Sequence, residues 1–339
     1  MRGGSPLPDN GRMRPFTPYA APAWLPGGHA QTVYALLLHR PRPLYRRERW
    51  ELPDGDFLDL DWLDGPADAP LVVLFHGLEG GSRGHYASFL MAALQRRGWR
   101  GVVPHFRGCS GELNRLPRAY HSGDSAEIDY VLERVRPVTG QAPLFTAGVS
   151  LGGNALLKWL GERGEAATHL VAAAAAVSAP LDLPAAGAAL DRGVTRLYTA
   201  HFLKSLKRKA LAKLVRHPGL HDARALRAVR SIRGFDDLVT ARLHGFRDAE
   251  DYWHRCASKP WLRAIRVPTL VVNARNDPFM PGAALPGVDE VSDRVLLDFP
   301  DCGGHVGFVS GPFPGRFEWL PGRVLGFFDA ALPARGGKA

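Results

Sequence analysis

Residues 71–75, Leu-Val-Val-Leu-Phe, are apolar without a break, which predicts a strand covered on both faces, as in a parallel sheet. Comparable apolar runs return at 101–104, 144–147, 170–177, 267–272 and 294–299. Between them lie stretches with helical spacing at 86–96, 125–135 and 154–160, and a closing one at 324–331. In the first of these, Phe89, Leu90, Ala93 and Leu94 fall on one side. Upstream, strand candidates at 44–52 and 57–62 flank Pro53-Asp54-Gly55-Asp56, whose turn chemistry predicts a hairpin. Asp59 and Asp61 alternate with Leu58, Leu60 and Trp62, predicting a sheet edge with one wet face. This alternation predicts an α/β fold built on a doubly wound, mostly parallel sheet.

The alternation stops over 181–261, where helical segments replace strands. An insertion between the sixth and seventh strands lies over the carboxyl ends of the sheet, where ligands bind, so it is read as a helical cap. The remaining chain divides into an arm with a short apolar helix (1–43), a first core part (44–180) and a second core part (262–339). Within the arm, residues 1–22 read as a flexible or wrapping segment. Pro26-Gly27-Gly28 then opens the helix.

Composition adds limits. The 339 residues are 45% hydrophobic and 22% charged, as expected for an ordinary globular protein. The formal net charge of +10 favours weak attraction to anionic surfaces. It specifies no nucleic acid, and it leaves transient contact with an anionic membrane surface open. Residues 192–221 contain eight Lys or Arg and no acid, which concentrates that charge in the cap. Cys109, Cys256 and Cys302 are too scattered for a disulfide framework, which favours a reducing compartment. Residues 1–11 lack the apolar stretch of a signal peptide, and 170–179 is too short to span a bilayer. A soluble cytoplasmic protein is the resulting expectation. Its oligomeric state is left open.

Gly148-Val149-Ser150-Leu151-Gly152 is the centre of the chemistry. It joins a predicted strand to a predicted helix, the setting of a nucleophile elbow, where a serine stands exposed on a strained turn. Ser150 is therefore the expected nucleophile, and Leu151 is expected to lend its N–H to an oxyanion hole. A serine hydroxyl needs a base to take its proton, and that base needs an acid to orient it. Asp277, in Asn276-Asp277-Pro278 after the 267–272 strand, is the expected acid. It is preferred to Asp182, Asp236 and Asp237, of which the last two lie in the insertion. His305, in Gly303-Gly304-His305-Val306-Gly307 after the last strand, is the expected base. The order Ser, Asp, His is the one this fold uses.

His76-Gly77-Leu78-Glu79-Gly80-Gly81 follows the 71–75 strand and should complete the oxyanion hole through the Leu78 N–H, with His76 bracing the loop. Its glycines lack the Lys-Ser/Thr ending of a P-loop, so no nucleotide site is expected. His217 and His221 are separated by Pro218-Gly219, which argues against a metal-binding helix face. Neither metal nor organic cofactor is expected. Arg107 is read as an internal salt-bridge partner, and Cys109 as part of a cavity wall.

Together the segments Gly28-His29-Ala30-Gln31-Thr32, His76-Gly77-Leu78-Glu79-Gly80, Phe106-Arg107-Gly108-Cys109-Ser110-Gly111, Gly148–Asn154, Phe235-Asp236-Asp237, Asn276-Asp277-Pro278 and Gly303–Gly307 carry a resemblance. The sequence resembles the YheT/EMB8-like branch of the α/β-hydrolases, a group of serine esterases and lipases, over most of its length. The resemblance implies the same roles for Ser150, Asp277 and His305, and a core domain with a helical cap. The expected activity is hydrolysis of short- to medium-chain carboxylic esters through an acyl-serine. Acyl transfer, lipid or phospholipid hydrolysis and noncatalytic ligand binding are the alternatives.

Overall fold

The computed structural model describes residues 17–332, so most of the arm expected over 1–22 lies outside the described residues. Eight strands form one sheet: β1 (Arg46–Glu51), β2 (Phe57–Leu63), β3 (Leu71–Phe75), β4 (Arg100–Pro104), β5 (Leu144–Val149), β6 (Ala173–Val177), β7 (Thr269–Val272) and β8 (Val295–Asp298). Their spatial order is β1-β2-β4-β3-β5-β6-β7-β8. The β1–β2 and β2–β4 pairs are antiparallel, and every later pair is parallel.

The period-two alternation of side chains divides the core between two faces of this sheet. Leu71, Val73 and Phe75 of β3 point to one side, where helices Ser125–Val135 and Leu151–Arg163 pack. Val72 and Leu74 point to the other, where His85–Arg96 and Trp319–Ala330 pack. In chain order the helices are α1 (Gly28–Tyr34), α2 (His85–Arg96), α3 (Ser125–Val135), α4 (Leu151–Arg163), α5 (Leu183–Leu190), α6 (Arg196–Arg216), α7 (Ala223–Ala228), α8 (Ile232–Phe235), α9 (Ala241–His244), α10 (Ala249–Cys256) and α11 (Trp319–Ala330). From β3 the chain crosses outward to β4, then returns past β3 to β5. That reversal opens a crevice beyond the carboxyl ends of β3 and β5, where a ligand can enter.

Helices α5 to α10 form the cap. Leu203 and Ala210 of α6 pack with Leu226, Phe235 and Val239 in a small core separate from the two faces of the sheet. Between α8 and α9 the backbone widens into a π-helical turn, Asp236–Thr240. Among the described residues, no helix is long and apolar enough to cross a membrane.

The structure corrects the wet face expected for β2. The hairpin forms, but β2 lies between β1 and β4, and all of its residues are buried. Asp59 and Asp61 sit opposite Arg49 and Arg47 across the β1–β2 ladder. Each carboxylate receives a two-pronged guanidinium contact, at 2.7 and 2.9 Å in both pairs. The charges on β2 are therefore neutralised within the sheet rather than by solvent.

The first helix also differs from its apolar expectation. Its buried residues are Gln31 and Thr32, whereas Val33, Leu36 and Leu37, in α1 and the turn after it, are exposed. The reason lies in what Gln31 and Thr32 hold.

Candidate active site

Ser150 occupies the turn between β5 and α4 with φ 53° and ψ −123°. That backbone region is uncommon for a residue with a side chain, and it turns the hydroxyl outward. The bend also forces close approaches on either side of it. A Cβ on Gly148 would meet the Gly152 carbonyl oxygen at 2.5 Å, and one on Gly152 would meet the Phe75 and His76 oxygens at 2.5 Å. Only glycine fits both positions. The Ser150 N–H donates to the Val177 carbonyl at 2.8 Å, pinning the turn to β6.

Residues distant in sequence converge on this serine. His305 Nε2 lies 3.0 Å from Ser150 Oγ, and His305 Nδ1 lies 2.8 Å from Asp277 Oδ2. With Nδ1 donating to the carboxylate, Nε2 is left as the acceptor for the Ser150 hydroxyl. The second oxygen, Asp277 Oδ1, accepts from the Phe279 N–H at 2.8 Å, which fixes the carboxylate plane. The Asp277 carboxylate is fully buried, and the Phe279 ring lies 4.2 Å from the imidazole.

The loop after β3 lies against the same serine, since a Cβ on Gly77 would come within 3.1 Å of Ser150 Cβ. The Gly77 carbonyl accepts from His76 Nδ1 at 2.8 Å and from the Gly80 N–H at 2.9 Å. Because a trans peptide sets its N–H opposite its carbonyl, pinning this oxygen turns the Leu78 N–H the other way. The neighbouring N–H groups of Gly77 and Glu79 are occupied by Tyr86 and Tyr120, each at 2.8 Å. Those of Leu78 and Leu151 have no acceptor among the described residues. His76 Nε2 accepts from the Phe106 N–H at 3.0 Å. Burial lowers the His76 pKa to about 3, so its imidazole is neutral and braces the loop.

Gln31 and Thr32 of α1 hold the His305 loop, a role that the sequence reading did not give them. Gln31 Oε1 accepts from the Gly303 N–H at 2.8 Å and from Asn276 Nδ2 at 3.0 Å. Thr32 Oγ1 accepts from the His305 N–H at 2.8 Å while donating to the Gly28 carbonyl at 2.7 Å. Asn276 Oδ1 takes the Gly304 N–H at 2.9 Å. Glycine is required where these segments touch: a Cβ on Gly28 would fall 1.9 Å from the Asn276 oxygen. Val306 follows at φ 53°, with its N–H on Ser178 Oγ and its carbonyl on His85 Nε2, each at 3.0 Å. The available signal was the cluster Gly28–Thr32 itself, whose polar residues interrupt an otherwise apolar helix.

The rival acids lie elsewhere. Asp182 caps α5 by accepting from the Ala185 N–H at 3.0 Å, and Asp237 accepts from the Ala249 N–H at 2.7 Å within the cap. Asp236 lines the cavity at its cap side, with Thr240 Oγ1 at 2.7 Å and Trp253 Nε1 at 2.8 Å. Burial raises its pKa to about 7. Arg107 is internal, bound to Glu127 at 2.6 Å, Asp54 at 2.7 Å and Asp56 at 3.0 Å. Burial pushes the Cys109 thiol up to about 11, leaving little thiolate near neutral pH. No cluster able to hold a metal ion occurs among the described residues.

Ser150 and His305 open into a cavity of about 160 Å³ between sheet and cap. Its wall is mainly apolar, including Leu183, Leu190, Leu206, Val239 and Leu243. A serine hydroxyl and an imidazole at the foot of such an apolar, partly enclosed cavity have the arrangement needed to attack an acyl carbon.

Residues 70–312 match the family model described as the alpha/beta hydrolase fold. The chain is 42% identical to YheT of Escherichia coli (strain K12) over 315 residues, covering 91% of this chain and 92% of that one. It is 30% identical to phospholipase ABHD3 of Mus musculus, covering 94% and 79%. Among solved structures, Est1E from Butyrivibrio proteoclasticus with bound ferulic acid superposes with a TM-score of 0.56 at 13% identity. That likeness covers 83% of this chain and 97% of Est1E, and it concerns the fold.

Proposed function

The chain belongs to the α/β-hydrolase family, within its YheT/EMB8-like branch, and on that premise we propose that it hydrolyses carboxylic esters through an acyl-serine on Ser150. The observation that carries this reading is the relay from Asp277 through His305 to Ser150, with its 2.8 and 3.0 Å steps, opening on an apolar cavity. His305 accepts the hydroxyl proton as Ser150 Oγ bonds to the ester carbon. Asp277 holds the imidazole's tautomer and stabilises its charged form. The carbonyl electrons move onto oxygen, which takes the Leu78 and Leu151 N–H groups. One such donor is worth about 10²–10³ in kcat in a comparable site. Collapse expels the alcohol, protonated by His305, and water activated by the same imidazole then frees the acid.

Short- to medium-chain acyl esters fit this reading, since such a chain can lie against the apolar wall beside Ser150. A lipid or phospholipid ester is the second reading, favoured by the apolar wall and by the relationship to phospholipase ABHD3. Val194 and Leu197, exposed beside Arg192 and Arg196 at the start of α6, support brief contact with an anionic membrane surface. Three unpaired cysteines support a reducing, cytoplasmic setting.

The test is labelling with a fluorophosphonate and mass identification of the modified residue. The label is expected on Ser150, and Ser150→Ala is expected to lose both label and ester turnover while keeping its melting temperature. Undiminished turnover in that variant would remove the assignment. A chain-length series separates the substrate readings, since strong turnover of long acyl esters with little on butyrate would favour the lipid one.

A further inference from the structure

Glu79 is an unusual residue for its place. It follows the Leu78 N–H and occupies the third position of the turn closed by the Gly80 N–H on the Gly77 carbonyl. Its φ of 56° is a conformation that glycine takes freely there. The backbone alone would be better served by glycine, so the side chain supplies something else. Its carboxylate lines the cavity and draws contacts from both halves of the molecule. From the core, Tyr120 OH donates to Oε1 at 2.9 Å while accepting the Glu79 N–H at 2.8 Å. From the cap, Lys209 Nζ meets Oε1 at 2.8 Å, and the Ser205 hydroxyl donates to Oε2. Ser205 and Lys209 lie four residues apart on α6, hence on one face of it. The cap's longest helix is thereby fastened to the residue immediately after the proposed oxyanion donor.

We propose that Glu79 is a positioning residue for the ester reaction, coupling the seating of α6 to the aim of the Leu78 N–H. The inference rests on the acyl-serine reading and deepens it: the oxyanion hole is complete only while the cap is seated. With Ser205 and Lys209 engaged, the turn is held from the cap side as well as by Tyr120. With them released, the turn keeps only its core contacts to His76, Gly80 and Tyr120, and the donor's aim loosens as charge develops on the acyl oxygen. Cap closure and transition-state stabilisation are then one event.

Glu79→Gly provides the discriminating variant, because glycine keeps the turn and relieves the backbone while removing the tie. Glu79→Gly and Lys209→Met are each expected to lower kcat about tenfold or more. KM should stay within about twofold, the signature of an interaction made in the transition state. Glu79→Gln, which keeps an oxygen for Tyr120 and Lys209 but loses the charge and the acceptor for Ser205, should fall between them and wild type. The double variant should lose no more than the worse single one. Binding of a trifluoromethyl ketone, which forms a tetrahedral oxyanion on the serine, should weaken by the factor seen in kcat. Wild-type kcat in folded Glu79→Gly or Lys209→Met would overturn the proposal, as would a loss confined to KM. Wild-type labelling and turnover are measured alongside. If wild type labels at Ser150 and the variants match it, the coupling alone falls. If wild type neither labels nor turns over ester, the parent reading falls with it.

Discussion

Two regions face each other across the cavity and are held by different means. On the sheet side, the Ser150 turn and the His305 loop are pinned group by group. Gly303, Gly304, His305 and Val306 each donate a backbone N–H to a side-chain oxygen, from Gln31, Asn276, Thr32 and Ser178 respectively. On the cap side, two buried ring nitrogens go unserved, and one buried carboxyl is bonded but desolvated. His221 Nδ1 and His244 Nε2 are buried without a hydrogen-bond partner, and burial lowers the His244 pKa to about 3. The Asp236 carboxyl is driven toward its neutral form. Unmet polar atoms occur in the core as well, at Trp62 and Glu127, but none lies in the loops that carry Ser150, Asp277 and His305. The cap's unmet groups lie away from the tie it makes to the oxyanion loop, through Ser205 and Lys209.

Breaking the sheet side should have the largest effect. Gly28→Ala drives a methyl into the Asn276 carbonyl at 1.9 Å, so the loops carrying Asp277 and His305 must part from α1. The expected outcome is a loss of about 3 kcal/mol or more by thermal melting, beyond ordinary overpacking. A fall in kcat of about 100-fold should accompany it, since small displacements near the chemistry are costly. Substitution at the cap comes next, through pH. Asp236 ionises near 3.8 when unfolded and near 7 when folded, so between those values the folded state holds the extra proton. Stability contributed by this group is therefore greatest below pH 4 and is lost as pH rises toward 7, by about 1.4 kcal/mol per pH unit at most. Asp236→Asn, which mimics the protonated side chain, should flatten that slope in denaturant titrations from pH 4 to 8. An unchanged slope would show that another group carries it.

A smaller effect is expected from Thr32→Val, which leaves the His305 N–H without its acceptor. A cost of about 1–3 kcal/mol follows for a buried unmet donor. Turnover should fall more than the affinity for substrate, because the imidazole shifts rather than the cavity. The smallest effect belongs to the outside of the cap. Leu197 is 72% exposed, so Leu197→Ser should change stability by less than about 0.5 kcal/mol and leave turnover of a soluble ester intact. A large destabilisation there would mean that this face is covered in solution.

Much of this division could be read along the chain. The continuous apolar runs marked strands because both faces of a parallel sheet are covered, and Gly148–Gly152 marked the elbow because its steric demand is local. Asp277 and His305 were legible because each follows a strand end. The uses of Gln31 and Thr32 were not, since Gln31 and Gly303 are 272 residues apart and no periodicity records such a contact. Asp59 and Asp61 misled for a related reason. Alternation with Leu58 and Leu60 looks the same whether a carboxylate faces water or an arginine on the next strand. Within the cap, helical content was visible, whereas the π-helical turn at Asp236–Thr240 has no local signature.

The grip of α1 on the His305 loop also has a consequence for synthesis. Residues 28–32 are made before any strand, but the N–H groups they receive arrive with residues 303–305, after all eight strands. A nascent chain can fold its elbow long before it owns an imidazole to arm it. On the proposed reading, the serine is thus unarmed until residues 303–305 emerge and close against α1.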